Sequence, residues 1–325
     1  MAKKFKYSFS PILTGSDLSR RRLALMEAKS ENPGPVIWFT AAVHGDEVGG
    51  IVIIQEIFKK LKKGPLLKGL LYAFPLMNPI GFESATRNIP VSEEDLNRAF
   101  PGNPSGSLAE RIADTIFKKI IETKPKLVLD LHNDWMDSIP YTLVDPNPGV
   151  KYEKEYEATV RFAQKTGFLV VNEEEEDSGS RENLRKTLTG SLINIGIPAI
   201  TLELGEAYIV NEKNVEIGTM AIWNILEDLG MVNKNNLTPL YELPSEFKNK
   251  ILKYSHQPVS STSGIIRFLV KPGEKVHKGQ KMAKIYNVLG KLRETIVAQN
   301  DAIVLGTTDS AVSLPGVPVV ALGIL

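Results

Sequence analysis

Apolar and polar positions along the chain fall into two alternating patterns. Short apolar runs at residues 36–42, 70–75, 126–131, 169–171 and 198–204 read as buried strands. Between them, stretches at 48–63, 107–123, 156–166, 189–195 and 216–229 carry apolar residues at helical spacing. Lysines and Gly64 close the first helical stretch, a stop signal. The first thirty residues predict short strands around a turn at Gly15-Ser16, and Pro33-Gly34-Pro35 separates them from the apolar run at 36–42. Strands alternating with helices predict an α/β fold, with a mostly parallel sheet covered by helices on both faces.

The pattern changes near Pro239–Pro244. Beyond residue 246 the chain shows short strands punctuated by Gly264, Gly273, Gly279, Gly290, Gly306 and Gly316, and no long helix. This predicts an α/β domain over residues 1–245 and a small all-β module over 246–325.

Composition narrows the chemistry. The 325 residues carry a formal net charge of +1, which argues against a general nucleic-acid binder. There is no cysteine, so disulfides and thiolate metal sites are excluded and any metal must rest on His, Asp or Glu. No apolar run is long enough to span a bilayer, and the basic start, Met1 to Tyr7, lacks a following signal-peptide core. The expected location is cytoplasmic, with neither a membrane nor a nucleic-acid partner.

Open α/β sheets gather function at the carboxyl ends of their strands. The first such end offers His44 and Glu47, three apart; a helix beginning there would turn both to one side. The second offers His132, after Leu129-Asp130-Leu131, and the third offers Glu203 within Thr201–Gly205. Two histidines and a glutamate form a hydrolytic zinc set with one position left for water. Between these ends lie Asn78-Pro79, Arg87 and Asp95–Pro101, whose guanidinium groups at Arg87 and Arg98 suit a carboxylate. Taken singly, each residue has a plainer reading: a chance His-x-x-Glu, a satisfied core histidine, half of a structural ion pair. Their joint placement, with only four histidines in the chain, favours one zinc ion per chain.

The motifs HGDE at 44–47, NP at 78–79, Arg87, DLNRAFPG at 95–102, DLH at 130–132 and LELG at 202–205 together resemble the succinylglutamate desuccinylase/aspartoacylase family, a branch of the zinc carboxypeptidase-like hydrolases. The resemblance implies a carboxypeptidase-like sheet and hydrolysis of the amide bond of a small N-acylated amino acid. It implies His44, Glu47 and His132 as zinc ligands and Glu203 as general base. Arg87 would polarise the scissile carbonyl, and Asn97 and Arg98 would hold the substrate carboxylate. Asp130 is a candidate partner for the outer nitrogen of His132. The alternatives are a peptide-trimming zinc carboxypeptidase and a catalytically silent binding or scaffold protein.

Residues 270–280 resemble the entry to a biotinyl- or lipoyl-type barrel-sandwich, and the comparable hairpin tip, Gly290-Lys291, lacks a flanking methionine. The module is expected to be structural or to support a homo-oligomer rather than to carry a cofactor, with His256 and His277 on the surface. One departure bears on substrate. Ile193 stands ten residues before Glu203, where aspartoacylases place an arginine for a second carboxylate. With the acidic run Glu173–Asp177, this favours neutral or cationic substrates, unless Arg181, Arg185 or Lys186 supplies the missing charge.

Overall fold

The computed structural model describes residues 5–14, 18, 20–173, 183–234, 245–247 and 250–325. The turn at Gly15-Ser16, the acidic residues 174–177, Arg181 and Pro239–Pro244 lie outside them. Strands β3 (Val36–Ala41), β4 (Leu70–Phe74), β5 (Leu127–Asp134) and β9 (Ala199–Glu206) form a parallel core in the order β4-β3-β5-β9. A hairpin of β1 (Phe5–Thr14) and β2 (Arg20–Lys29) extends it antiparallel beyond β4. On the other side β7 (Pro140–Val144), for which the apolar pattern gave no expectation, pairs antiparallel with β9 and parallel with β8 (Leu169–Asn172). The sheet is therefore mixed, with a parallel centre.

Alternate strand residues feed two cores. Phe39, Leu129 and Leu202 face α1 (Gly49–Lys63), α4 (Glu153–Lys165) and the helix over Glu212–Asp228, joining Ile53, Phe58, Phe162 and Ile222. Trp38, Val128 and Ala199 face the opposite way, onto α3 (Leu108–Glu122) and α5 (Leu188–Ile193). Helix α3 begins where the sequence indicated, because Ser107 and Glu110 close a reciprocal capping box. The short helix α2 (Pro79–Ser84) starts on Asn78, whose side chain accepts from Gly81 N–H. Among the described residues no helix is long and apolar enough to cross a membrane.

The large sheet continues past β8. Strand β10 (Ile251–Ser255) pairs parallel with β8 and antiparallel with β17 (Val320–Ile324), which leads on to β15 (Ala302–Thr307) and β12 (Lys275–Val276). The two-residue β6 (Asp137–Ser138) also pairs with β15, antiparallel. A second sheet, of β14 (Leu292–Val297), β13 (Lys281–Tyr286), β11 (Gly264–Phe268) and β16 (Val312–Ser313), packs over these strands. Its core includes Ile266, Met282, Ile285, Val304 and Leu322. Residues of β7, β8, β10, β15 and β17 share one further apolar cluster, around Tyr141, Leu252 and Leu305.

Candidate active site

The face of the sheet that carries Trp38, Val128 and Ala199 turns polar toward the strand ends. Thr40 on β3, Asp130 and His132 on β5, and Thr201 and Glu203 on β9 follow at the period of two. The Thr40 hydroxyl donates to Asp130 Oδ1 at 2.6 Å, and Asp130 Oδ2 lies 3.0 Å from His132 Nε2. The expected partnership of Asp130 with His132 is thus present, because the strand stays regular from one to the other.

His44 and Glu47 do not begin a helix. They sit in the turn between β3 and α1, which starts at Gly49, and the Glu47 N–H closes back on the His44 carbonyl at 3.3 Å. Two glycines allow this. A Cβ on Gly45 would stand 2.0 Å from the Gly81 carbonyl carbon, and one on Gly50 would stand 2.7 Å from the Leu131 Cβ. The turn therefore presses directly onto α2 at Gly45, and the first turn of α1 onto β5 at Gly50. Asn133 locks the arrangement: its backbone N–H donates to Glu47 Oε2 at 3.1 Å, its Oδ1 accepts from Gly49 N–H at 3.0 Å, and its Nδ2 donates to Glu206 O at 3.0 Å.

The result is a buried cluster in which His44 Nδ1 lies 2.6 Å from Glu47 Oε1 and His132 Nδ1 lies 2.9 Å from Glu47 Oε2. Each imidazole turns its other nitrogen to an aspartate. His44 Nε2 is 3.2 Å from Asp95 Oδ1, as His132 Nε2 is from Asp130 at 3.0 Å. One ligand atom from each of His44, Glu47 and His132 falls within 4.8 Å of the others, so the group could hold a metal ion. Burial by itself would raise the Glu47 carboxyl, but the two imidazoles outweigh it and hold Glu47 well below the usual carboxylate range. Burial works against a charged His132, yet Asp130 and Glu47 push it well above an ordinary histidine.

Arg87, half-exposed on the loop after α2, directs Nη1 to Glu47 at 3.6 Å and Nη2 to Asp95 at 3.2 Å. Asp95 therefore joins His44 to Arg87, a role the motifs alone did not assign. Asn97 Oδ1 accepts from the N–H of Leu188 at the start of α5, at 3.0 Å, and the residue lines the cavity. Arg98 is tied by Nη1 to the Asn97 carbonyl at 2.8 Å. Glu203 stands beside His132 in the β5–β9 register, and its Oε2 is buried with no hydrogen-bond partner among the described residues. Burial pushes the Glu203 carboxyl well up; His132 opposes this, and Asp134 and Glu47 reinforce it.

All seven expected residues line one cavity of about 250 Å³. Three expectations change. Ile193 is packed in the core beneath α5 and does not line the cavity; Thr189, four residues earlier on the same helix, does. The helix turn places Thr189 at the cavity and Ile193 in the core, so the side chain at position 193 does not meet the cavity's contents. Arg185 and Lys186 do not line the cavity either, and Arg181 lies outside the described residues. His256 is only partly exposed: with Tyr254 it forms part of the cavity wall, because β10 joins the large sheet. His277 is exposed near Asp301, as expected.

The cavity is also walled by Leu143, Asp145, Glu173, Leu184, Thr187, Thr189 and Thr201. Burial raises Asp145 to about 6 and Glu173 to about 7; for Glu173 the neighbouring Asp145 adds to the effect and Arg98 opposes it. Asp145 directly follows β7, a strand the apolar pattern did not show, and β7 runs antiparallel to β9, so its carboxyl end lies away from that of β9 and the rule of strand ends gave no signal for it. In all, the wall holds the carboxyls of Glu47, Asp134, Asp145, Glu173 and Glu203, and among the described residues only Arg87 and Arg98 as guanidinium or ammonium groups.

The model of the succinylglutamate desuccinylase/aspartoacylase catalytic domain matches residues 33–229. N-alpha-acetyl-L-2,4-diaminobutyric acid deacetylase of Halomonas elongata is 25% identical over 258 residues, 78% of this chain and 71% of that protein. Succinylglutamate desuccinylase of Shewanella sp. (strain W3-18-1) is 22% identical over 199 residues, 57% of this chain and 54% of that protein. Among solved structures, the product-bound ectoine utilization protein EutE (DoeB) of Ruegeria pomeroyi superposes with a TM-score of 0.81 at 20% identity, covering 99% of this chain and 95% of that one. A metallo-carboxypeptidase of Burkholderia cenocepacia superposes with a TM-score of 0.54 at 14% identity, covering 69% of this chain and 65% of that one. The fold is thus a mixed α/β architecture similar to the carboxypeptidase-like fold. Its catalytic-domain match spans more than half of the sequence, and the chain belongs to the succinylglutamate desuccinylase/aspartoacylase family.

Proposed function

We propose that this protein is a zinc-dependent deacylase that hydrolyses the amide bond of a small N-acylated amino acid, with one zinc ion held by His44, Glu47 and His132. The observation that carries the reading is the pairing of that buried N, O, N donor group with the unpartnered, buried Oε2 of Glu203 on the adjacent strand. A buried carboxylate oxygen without a partner is costly, and a water placed between it and a bound cation would satisfy it. Two imidazoles and a carboxylate form a donor set suited to hydrolytic zinc, and aspartates on both outer nitrogens fix the rings.

Bound zinc supplies Lewis acidity, making a water acidic enough to ionise near neutral pH and drawing charge from a carbonyl oxygen. Glu203 takes the proton of the attacking water and delivers it to the leaving nitrogen. Its upward shift suits delivery of the proton, and a cation held by the neighbouring ligands would lower its pKa again and so favour the carboxylate that accepts it. Arg87 faces the same space and stabilises the developing oxyanion. Asn97, through its amide NH2, and Arg98 orient the amino-acid carboxylate.

The acidic part of the wall bears on the substrate. Asp145 and Glu173 share the cavity wall with Arg98 and feel its charge, so they would face the side chain of an amino acid held by Arg98. They favour a side chain that carries an amine over one that carries a second carboxylate. This agrees with the Halomonas relative, whose named substrate is an N-acetylated diamino acid. A cavity of about 250 Å³ suits one acylated amino acid better than a peptide. The test is a deacylase screen of the zinc-loaded protein with N-acetyl, N-succinyl and N-formyl amino acids alongside dipeptides. We expect turnover of N-acetyl amino acids and none without metal; turnover confined to peptides would overturn the reading.

A further inference from the structure

The segment after residue 250 reaches the cavity through one strand. Strand β10 adds to β8 through the register pairs Ile251–Val170, Leu252–Val171 and Lys253–Asn172, and its next residues bring Tyr254 and His256 to the cavity wall. The two side chains lie two apart on an extended stretch, so they share a face. Tyr254 Oη is 2.8 Å from His256 Nε2. The His256 ring is stacked on Trp135 at 5.7 Å and meets the Tyr254 ring edge-on at 4.9 Å. Tyr141, the register partner of Glu203 across β7 and β9, stacks on Tyr254 at 6.5 Å and gives its own proton to Asp134 Oδ2 at 2.9 Å. The Tyr254 hydroxyl feels the charges of Asp134, Glu173 and Glu203, and the Tyr141 hydroxyl lies within hydrogen-bond reach of it, leaving one lone pair for the cavity.

We propose that Tyr254 is a substrate-contacting residue, and that His256 is its positioning residue, holding the phenol proton so that a lone pair of the oxygen faces the cavity. Burial pushes His256 below an ordinary histidine, which keeps the ring neutral and one nitrogen free to accept. With its proton given to Nε2, the Tyr254 oxygen is an acceptor. The donor a deacylase substrate offers near Glu203 is the N–H of the scissile amide. That hydrogen bond is already made in the bound substrate and strengthens as the nitrogen becomes the leaving amine, so its effect falls on both binding and kcat. The strand that opens the C-terminal β segment thereby becomes part of the catalytic cavity.

The kinetic arm rests on the deacylase reading; the binding arm does not. Four variants of the full-length, zinc-loaded protein are compared: Tyr254→Phe, His256→Phe, the double variant, and His256→Gln. His256→Phe keeps the ring on Trp135 but removes the acceptor, and His256→Gln returns an acceptor. We expect each Phe variant to lose about tenfold in kcat/KM, with the double variant no worse than either single. His256→Gln should recover to within about threefold, and thermal midpoint and zinc content should stay at wild-type values. In parallel, calorimetry of N-alpha-acetyl-L-2,4-diaminobutyrate on the Glu203→Gln background should show a weaker Kd when Tyr254→Phe or His256→Phe is added, again without additivity. The same coupling in calorimetry with an inactive wild type would sustain the inference while removing the deacylase reading. Additive losses, losses that follow the thermal midpoint or zinc content, or a Tyr254→Phe variant at wild-type values in both arms would overturn it.

Discussion

His132 and Glu203 stand side by side as register partners across β5 and β9, one turned into the His44–Glu47–His132 cluster and the other ending in a buried oxygen without a partner among the described residues. Parallel pairing at adjacent strand ends puts a ligand and a base at neighbouring positions, and the proposed division of labour rests on that spacing.

Removing the ligand should remove the metal. Zinc content of about one per chain in the purified protein should fall to background in His132→Ala, as measured by elemental analysis. Asp130→Ala should keep the site but weaken zinc binding about 10- to 100-fold, because only the ring's orientation and basicity are lost. Full zinc occupancy in His132→Ala would refute the ligand assignment.

Glu203→Gln should bind zinc as the wild type does and lower kcat about 10²- to 10⁴-fold, since the amide has the shape but cannot take a proton. Steady-state kinetics beside a zinc measurement checks this, and near-normal turnover would take Glu203 out of the mechanism.

Zinc should stabilise the fold more as pH rises. In the metal-free protein His132 is raised, so its contribution is fully present below the unfolded histidine pKa and is lost as pH rises through the folded value. Glu47 is depressed, so its contribution is present above the unfolded carboxylate pKa and is lost as pH falls through the folded value. Zinc must displace the protons on its histidines, and that competition weakens at higher pH. The gap in thermal midpoint between zinc-loaded and metal-free protein should widen between about pH 6 and about 9, read by calorimetry. A gap that narrows would contradict the ligand set.

Substrate charge should matter through Asp145 and Glu173. N-acetyl amino acids with a side-chain amine should show at least about tenfold higher kcat/KM than N-acetylaspartate, as expected for one unpaired buried charge. The preference should grow as pH rises through about 6 and about 7, where the two carboxyls ionise. Asp145→Asn with Glu173→Gln should flatten it. A preference for N-acetylaspartate in the wild type would show that the acidic part of the wall does not select for a cation.

Arg87 and Arg98 should separate kinetically. Arg87→Ala should lower kcat with little change in KM, because the oxyanion exists only as the reaction proceeds. Arg98→Ala should raise KM and lower kcat/KM, because it meets the carboxylate of the substrate before and during reaction. Equal effects in both variants would dissolve the distinction.

Local sequence was enough for the parallel centre and for picking out the residues of the candidate metal group. Apolar runs ending in His132 and Glu203, and helices with readable starts such as Ser107, arise from local periodicity and capping, which neighbouring residues specify. The family motifs likewise lie in short contiguous stretches. Other features needed the folded chain, because they depend on residues far apart in it. His44 and Glu47 converge through a turn pressed onto α2, not through a helix, because Gly45 admits the backbone of Gly81. Ile193 faces the core and Thr189 the cavity, a choice set by how α5 is rotated on the sheet. Asp145 and His256 reach the cavity because β7 inserts antiparallel beside β9 and β10 adds to β8, and strand pairing at that sequence separation leaves no local pattern.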